Sequence, residues 1–296
     1  MNRRTLAERA LRVALETRVR LGIPLGEALS VYDAADRLGL EVRFLAAPSL
    51  EGMYVRQGPD QAKPLVIVSA LRPAGRQAST AAHEIGHHAF GHGTRIDQYI
   101  EGVSSAAQSP PDPDEILANA FGAFFLMPKA AVERGFRSRG FDLNSPAATE
   151  AYQVAGWLGV GYGTLVQHMR WSLNLLSKPR ADALLAHKPK RVREDLLGVP
   201  LVGDVMVVDR NWTNRPVDLQ VGDQMILPIG TRVDGLALSS PVQGRRNDLV
   251  VEAIAPGIAQ VLGTDWAVFA RVARRGYEGR GVYRHLDAAD GDVPIF

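Results

Sequence analysis

Apolar residues recur with a helical period in the first part of the chain and predict two helices. Between residues 2 and 20 they fall every three or four positions, which is the spacing of one face of an α-helix. Pro24 interrupts this pattern, and a second helix is predicted from Gly26 to Leu38, ending before Gly39. Three short strand-like runs follow: Val42–Leu45, Gly52–Arg56 and Pro64–Val68. The last is the clearest strand, because it is β-branched and lies between turn residues.

The middle of the chain is again helical. A helix rich in histidine is predicted to end near Gly91 and Gly93, because glycine often follows the last turn of a helix. Residues 108–114 are rich in proline and aspartate and predict a loop. The next helix is predicted from Glu115 to Met127 and stops at Pro128, which cannot continue it.

The last third of the chain changes from helical to β character. A helical segment is predicted over about residues 145–186, and the basic run Lys188–Arg193 is interpreted as a linker. Short β-rich stretches follow, separated by Gly, Pro and Asp: Asp204–Val208, Gln224–Ile229, Asp248–Ala255, Ala259–Leu262 and Trp266–Val272. Strands at this spacing predict a small sandwich or barrel.

The composition is that of an ordinary globular protein and excludes several classes. Apolar residues make up 46% and charged residues 22% of the 296 residues, and this length suggests two or three domains. The net charge of +2 provides no overall attraction to nucleic acid or to anionic membranes. The chain has no cysteine, so disulfides and thiolate metal sites are excluded.

The N-terminal segment predicts neither secretion nor membrane insertion. Residues 1–20 contain arginines every few positions and lack the apolar core of a signal peptide. No apolar run approaches the ~20 residues that a membrane-spanning helix needs. We therefore expect a cytoplasmic, soluble protein with no membrane partner.

The sequence His83-Glu84-Ile85-Gly86-His87 predicts a metal site on a helix. Positions i and i+4 lie one turn apart on the same face, so His83 and His87 present two imidazoles to one point. Glu84 is rotated by about 100° from His83, which suits a general base beside the metal better than a ligand on it. Imidazole ligands of this kind favour zinc, and Mn²⁺ and Fe²⁺ are alternatives.

A catalytic zinc ion needs a third protein ligand, and two residues compete for this role. His92 lies nine positions after His83, one short of the metzincin spacing, so it is not expected to bind the metal. Glu115 begins the next predicted helix. Asn119 lies one turn later on the same face, where it can orient a ligand or a neighbouring loop. Asp112 as N-cap and Glu115 at N3 also fit a capping box, in which Glu115 has only a structural role. The spacing leaves both interpretations open.

Two motifs and their surroundings resemble the ImmA/IrrE family of metallopeptidases. The motifs are Thr80-Ala-Ala-His-Glu-Ile-Gly-His87 and Glu115-Ile-Leu-Ala-Asn-Ala-Phe-Gly-Ala-Phe-Phe-Leu-Met-Pro128. The helix around Ala34–Leu40 and the strand Leu65–Val68 extend the resemblance over about residues 25–135. The resemblance implies that Glu115 is the third metal ligand.

The same resemblance implies a biological role. Members of this family act on a repressor with a helix-turn-helix domain, so cleavage is expected to derepress genes for stress response or mobile elements. The C-terminal third does not resemble the sensor domain of the radiation-response members, so the activating signal cannot be transferred to this chain. We interpret that third as a β-rich sensor or regulatory module.

Residues 152–168 are similar to a helix-turn-helix, with a glycine-rich turn between two helical stretches. DNA recognition by such a motif depends on positive charges that contact phosphates. Arg170 is the only full positive charge in the second helix. Direct DNA binding is therefore not expected, and a role in packing or in grasping the substrate is preferred.

We predict an α+β fold in three parts. Residues 1–140 form a zincin-like peptidase domain, residues 141–195 a helical, helix-turn-helix-like segment with the basic linker, and residues 196–296 a β-rich, sandwich-like domain. The predicted function is that of a zinc endopeptidase with a protein substrate, in which an exposed edge near Leu65–Val68 holds the substrate as an added strand. The alternatives are a metal-bound regulator that binds a repressor without cleaving it, and a DNA-binding transcription regulator.

Overall fold

The computed structural model describes residues 2–59, 61–98, 112–200, 203–213 and 215–286. The chain forms two compact units. The first comprises Met1–Arg134 with Leu158–Val160, and the second comprises Gly135–Trp157 with Gly161–Phe296. Most of the loop predicted at residues 108–114 lies outside the described residues. The predicted three-part division remains a prediction.

The first unit combines helices and strands, as the sequence predicts for an α+β fold. In chain order they are α1 (Arg3–Arg20), α2 (Val31–Arg37), β1 (Glu41–Leu45), β2 (Leu50–Val55), β3 (Leu65–Ser69), α3 (Ala74–Ala89), β4 (Arg95–Gln98), α4 (Pro113–Leu126) and α5 (Lys129–Arg137), which crosses into the second unit. Helix α2 begins later than predicted, because Ser30 is extended and its hydroxyl caps the helix by accepting from the N–H of Asp33.

The strands of the first unit form a sheet in the order β1–β3–β2–β4. Strand β3 pairs in parallel with β1 and antiparallel with β2, and β4 pairs antiparallel with β2. The prediction that Leu65–Val68 offers an exposed edge is therefore wrong, because β3 is hydrogen-bonded on both sides. Strand β4 is the outer strand of this order.

Helix α4 is the central helix of the first unit and packs against both α1 and α3. The buried guanidinium of Arg18 on α1 holds the C-terminal end of α4 by donating to the carbonyl of Phe125 at 2.7 Å. The same guanidinium donates to the carbonyl of Pro24 at 2.9 Å. Arg18 thereby ties the turn after α1 to the end of α4.

One described segment, Pro113–Arg137, is long and apolar enough to cross a membrane by length and composition alone. It joins α4 to α5, and 61% of its most apolar window is buried inside the structure. Phe121 and Phe125 are fully buried and stack with ring centroids 5.2 Å apart. These features are those of a core helix in a soluble protein.

The second unit combines helices with two four-stranded sheets among the described residues, which confirms the prediction of a β-rich C-terminal part. Its helices are α6 (Ala148–Leu158), α7 (Tyr162–Trp171), α8 (Lys178–Ala186) and α9 (Pro189–Leu197). Its strands are β5 (Val205–Val207), β6 (Val217–Gln220), β7 (Gln224–Pro228), β8 (Arg232–Asp234), β9 (Val242–Gln243), β10 (Asp248–Glu252), β11 (Gly257–Leu262), β12 (Ala267–Ala273) and β13 (Gly279–Arg280). The two sheets have the orders β5–β7–β10–β9 and β6–β12–β11–β8.

The helical part of the second unit confirms one local prediction and corrects another. Helices α6 and α7 are joined by a glycine turn in which Gly159 adopts a positive φ of 74°, as the helix-turn-helix pattern requires. The basic run Lys188–Arg193 is not a linker but the first part of α9. Pro189 starts this helix, and its apolar residues Val192 and Leu196 are buried.

Candidate metal centre

Helix α3 places two histidines side by side. His83 and His87 lie one turn apart, and their Nε2 atoms are 2.9 Å from each other. Both side chains are buried, His87 completely. Two ring nitrogens this close can share at most one proton, so at least one lone pair faces the other ring.

Helix α4 brings Glu115 to the same point. Its two carboxylate oxygens lie 3.4 Å from the Nε2 atoms of His83 and His87 respectively. One potential ligand atom from each residue lies within 4.8 Å of the other two. Asp112 caps α4 by accepting from the N–H of Asp114 at 2.9 Å, whereas a capping box would bond Asp112 to the N–H of Glu115. This geometry favours a ligand role for Glu115 over a role in a capping box.

Small residues allow α3 and α4 to approach closely enough for this arrangement. A Cβ atom at Gly122 on α4 would lie 3.1 Å from the backbone nitrogen of His83 and 3.2 Å from the carbonyl carbon of Ala82. Glycine at position 122 therefore permits backbone contact beside the first candidate ligand. Because Glu115 lies two turns earlier on the same face of α4, this contact also sets its distance from the histidines.

Asn119 orients the first histidine. Its Oδ1 atom lies 3.2 Å from Nδ1 of His83, so Nδ1–H donates and Nε2 faces the candidate ligand cluster. The spacing of Asn119 from Glu115 in the sequence indicated a role of this kind. A fixed tautomer with a free Nε2 lone pair is what a metal-binding histidine needs.

Glu84 lies beside the cluster in a fully buried position. Neither carboxylate oxygen has a hydrogen-bond partner among the residues that the structure describes. Gly52 on β2 makes room for it, because a Cβ there would lie 2.4 Å from Oε1 of Glu84. Burial raises the pKa of Glu84 to about 8; the charge of His83 opposes this shift, and the charges of Asp97 and Glu115 reinforce it.

Asp97 on β4 is a site residue that sequence reasoning missed. Its Oδ2 atom lies 3.1 Å from Nε2 of His83. Together with His83 and Glu84 it forms a second group of potential ligand atoms within 4.8 Å of one another. Burial alone would raise the pKa of Asp97, but its hydrogen bond to His83 and the charges of His83, His87 and Arg95 together outweigh this effect and hold the pKa below its usual value.

The surroundings shift the pKa values of the two histidines in opposite directions. Burial disfavours a charged His83, but hydrogen bonds to Asp97 and Glu115 and the charges of Glu84 and Asp97 together outweigh it and raise the pKa of His83 to about 10. Burial and the neighbouring charge of His83 lower the pKa of His87 to about 4. Three carboxyl groups, from Glu84, Asp97 and Glu115, thus surround the two imidazoles. A divalent cation fits this set of nitrogen and oxygen donors, and zinc is the typical choice.

His92 does not join the ligand atoms. Its Nδ1 atom lies 2.8 Å from Nδ1 of His87, on the side of that ring opposite the cluster. The prediction that His92 is not a ligand of this metal agrees with its position.

An α+β domain with a helical His-Glu pair and a carboxylate from the next helix is typical of metallopeptidases. Residues 35–168, a little under half of the chain, match the family model described as the IrrE N-terminal-like domain. This match confirms the resemblance of that part of the chain to the ImmA/IrrE metallopeptidases. A search of curated proteins found no match to the chain.

Proposed function

We propose that the chain is a zinc-dependent endopeptidase that cleaves a helix-turn-helix repressor. The observation that carries this proposal is the convergence of His83, His87 and Glu115 within 4.8 Å beside the buried carboxylate of Glu84. Two imidazoles and one carboxylate form a common ligand set of catalytic zinc, which leaves a position open for water or substrate.

Zinc bound at these three residues supplies Lewis acidity at the open position. Glu84 acts as the general base, takes a proton from the attacking water and delivers it to the departing amine nitrogen. The pKa of Glu84 is about 8 in the metal-free protein, and a dication bound at the three ligands would lower it. A buried carboxylate with no partner among the described residues suits proton transfer, and a non-cleaving scaffold has no use for it.

The outer strand β4 is the proposed docking edge for the substrate. An extended peptide can add to such an edge through main-chain hydrogen bonds. Asp97 on β4 lies 3.1 Å from Nε2 of His83, so a peptide paired with this strand would be held beside the candidate ligands. This proposal replaces the inner strand β3, which has both edges occupied.

The identity of the substrate rests on the family. The match to the IrrE N-terminal-like domain supports a protein substrate, and the ImmA/IrrE resemblance supports a cytoplasmic helix-turn-helix repressor. Cleavage of that repressor would derepress genes for stress response or mobile elements. The second unit would then regulate the peptidase or help to hold the repressor.

The proposal is tested with the purified full-length chain and helix-turn-helix repressors encoded beside its gene. Mass spectrometry after incubation with zinc should show two fragments of one repressor. A chelator should abolish the cleavage, and added zinc should restore it. Intact repressors in every zinc-loaded reaction would count against the proposal and favour a non-cleaving regulator.

A further inference from the structure

His92 follows α3 in a turn that fixes the direction of its side chain. Gly91 adopts a positive φ of 70°, and its N–H donates to the carbonyl of His88 at 3.0 Å. The N–H of His92 donates to the carbonyl of His87, also at 3.0 Å. These two bonds define a Schellman motif, in which the residue after the glycine lies against the residue five positions earlier. The turn therefore places the His92 ring against the His87 ring.

The two rings meet through their Nδ1 atoms, 2.8 Å apart. One of these nitrogens must donate a proton and the other must accept it. Nε2 of His87 faces the Nε2 atom of His83 at 2.9 Å and Glu115 at 3.4 Å. For His87 to offer a lone pair there, its proton must lie on Nδ1, and His92 must accept it.

Asp114 completes this chain of contacts. Its Oδ1 atom lies 3.3 Å from Nε2 of His92, the nitrogen that carries the proton when Nδ1 accepts. Arg95 donates to the other carboxylate oxygen of Asp114 at 2.5 Å. A carboxylate oxygen at this place accepts from Nε2–H of His92 and so favours the tautomer in which Nδ1 of His92 accepts from His87. Asp114 directly precedes Glu115, so the first turn of α4 provides both a candidate ligand and this outer contact.

We propose that His92, supported by Asp114, is a positioning residue that holds His87 in its metal-binding tautomer and orientation. This inference rests on the proposed function, because it assigns His87 as a ligand. His83 receives a simpler partner at its own Nδ1, the amide of Asn119. The hydrogen-bond partners of metal-binding histidines typically change metal affinity by about 10–100-fold when they are removed.

Zinc affinity of three full-length variants, measured by competition with a chelator, tests the proposal. His92→Ala should bind zinc about 10–100-fold more weakly than the parent protein. His92→Asn should restore most of the affinity, because its amide oxygen can accept from Nδ1–H of His87. His88→Ala is the matched control, since His88 lies on the same helix and bonds to the hydroxyl of Tyr54 at 3.0 Å instead. Equal affinities for His92→Ala and the parent protein would overturn the proposal.

A second measurement separates this inference from the proposed function. Long-range nitrogen–proton NMR of histidine-labelled, chelator-treated protein reports which ring nitrogen of His87 carries the proton. The parent protein and His92→Asn should show the proton on Nδ1, and His92→Ala should show a mixture of tautomers. A proton on Nε2 in the parent, or an unchanged tautomer in His92→Ala, would refute the role of His92. If the parent bound no zinc, the proposed function would fail, and the tautomer measurement would still decide whether His92 positions His87.

Discussion

Gly86 on α3 and Ala118 on α4 mark the point where the two helices of the candidate site touch. A Cβ atom at position 86 would lie 2.9 Å from the Cα atom of Ala118 and 3.0 Å from its carbonyl oxygen. Both neighbouring atoms belong to the backbone, so they cannot move aside as a flexible side chain can. Gly86 lies between the two candidate histidines, and Ala118 lies one turn after Glu115. The separation of these helices therefore sets the size of the ligand cluster.

Gly86→Ala should separate α3 from α4 and weaken zinc binding. Alanine adds about 1 kcal/mol of helix propensity, but overpacking at backbone atoms costs about 1–3 kcal/mol, so a net destabilisation is expected. Gly163→Ala is the matched control, because this helical glycine in α7 has only Leu185 at an ordinary 3.8 Å. The control should gain stability and keep its zinc. Normal zinc affinity in Gly86→Ala would show that the helix contact does not set the ligand geometry.

The role of Glu115 can be separated from that of the helix cap by two neighbouring variants. Glu115→Ala should lose bound zinc, because it removes the carboxylate whose oxygens lie 3.4 Å from the Nε2 atoms of both histidines. Asp112→Ala should keep about one zinc per chain and lose about 0.5–2 kcal/mol of stability, because it removes the observed N-cap. Metal content and thermal unfolding of both variants distinguish loss of a metal ligand from loss of a helix cap. Full zinc occupancy in Glu115→Ala would exclude its role as a ligand.

The raised pKa of Glu84 predicts a pH dependence of stability in chelator-treated protein. The unfolded chain loses this proton near the ordinary glutamate pKa, whereas the folded protein keeps it until about pH 8. The folded state therefore binds more protons in this window, and stability falls as the pH rises through it. Glu84→Gln should gain stability relative to the parent protein between about pH 5 and pH 8. A difference that stays constant with pH would contradict the assigned pKa; the exposed Glu8→Gln variant serves as control.

An ion pair between Arg139 and Asp209 connects the helical and β parts of the second unit, and its removal should lower the stability of the protein. The buried guanidinium of Arg139 makes two bonds to Asp209, at 2.8 and 3.0 Å, and packs over the Trp157 ring. Arg139→Ala should cost about 3 kcal/mol, because Asp209 loses its charged partner but keeps hydrogen bonds from the Gln153 amide and the N–H of Asn211. Arg210→Ala breaks an exposed pair with Asp265 and should cost at most about 1 kcal/mol. Equal melting temperatures for the two variants would contradict this ranking.

The sequence predicted the parts of the site that lie within single helices. The spacing of His83 and His87 requires only helical geometry, and the helix from Glu115 is bounded by proline at both ends. Strands β1, β2 and β3 were predicted because each is a run with β character. Glu115 remained undecided at that stage, because its contact with the histidines depends on the packing of two helices and not on spacing along one.

Other parts of the site depend on tertiary contacts that produce no periodic pattern in the sequence. Strand β4 has four residues with Ile96 as its only apolar one, so neither the strand nor Asp97 gave a periodic signal. His87 and His92 are five residues apart, and the turn at Gly91, not helical spacing, brings their rings together. The glycine itself was the available signal, because it indicated a helix end whose next residue folds back. In α9, three basic residues concealed the buried positions Val192 and Leu196.

Repressor cleavage by Glu84→Gln tests the central claim most directly. Glutamine keeps the size of the side chain but cannot accept the proton from water, so this variant should bind zinc as the parent does and leave the repressor intact. Parent protein and the exposed control Glu8→Gln should cleave it at the same rate. Loss of a general base is expected to slow cleavage by about 10²–10⁴-fold. Cleavage by zinc-loaded Glu84→Gln at the parental rate would contradict the account, because the buried carboxylate would then take no part in the reaction.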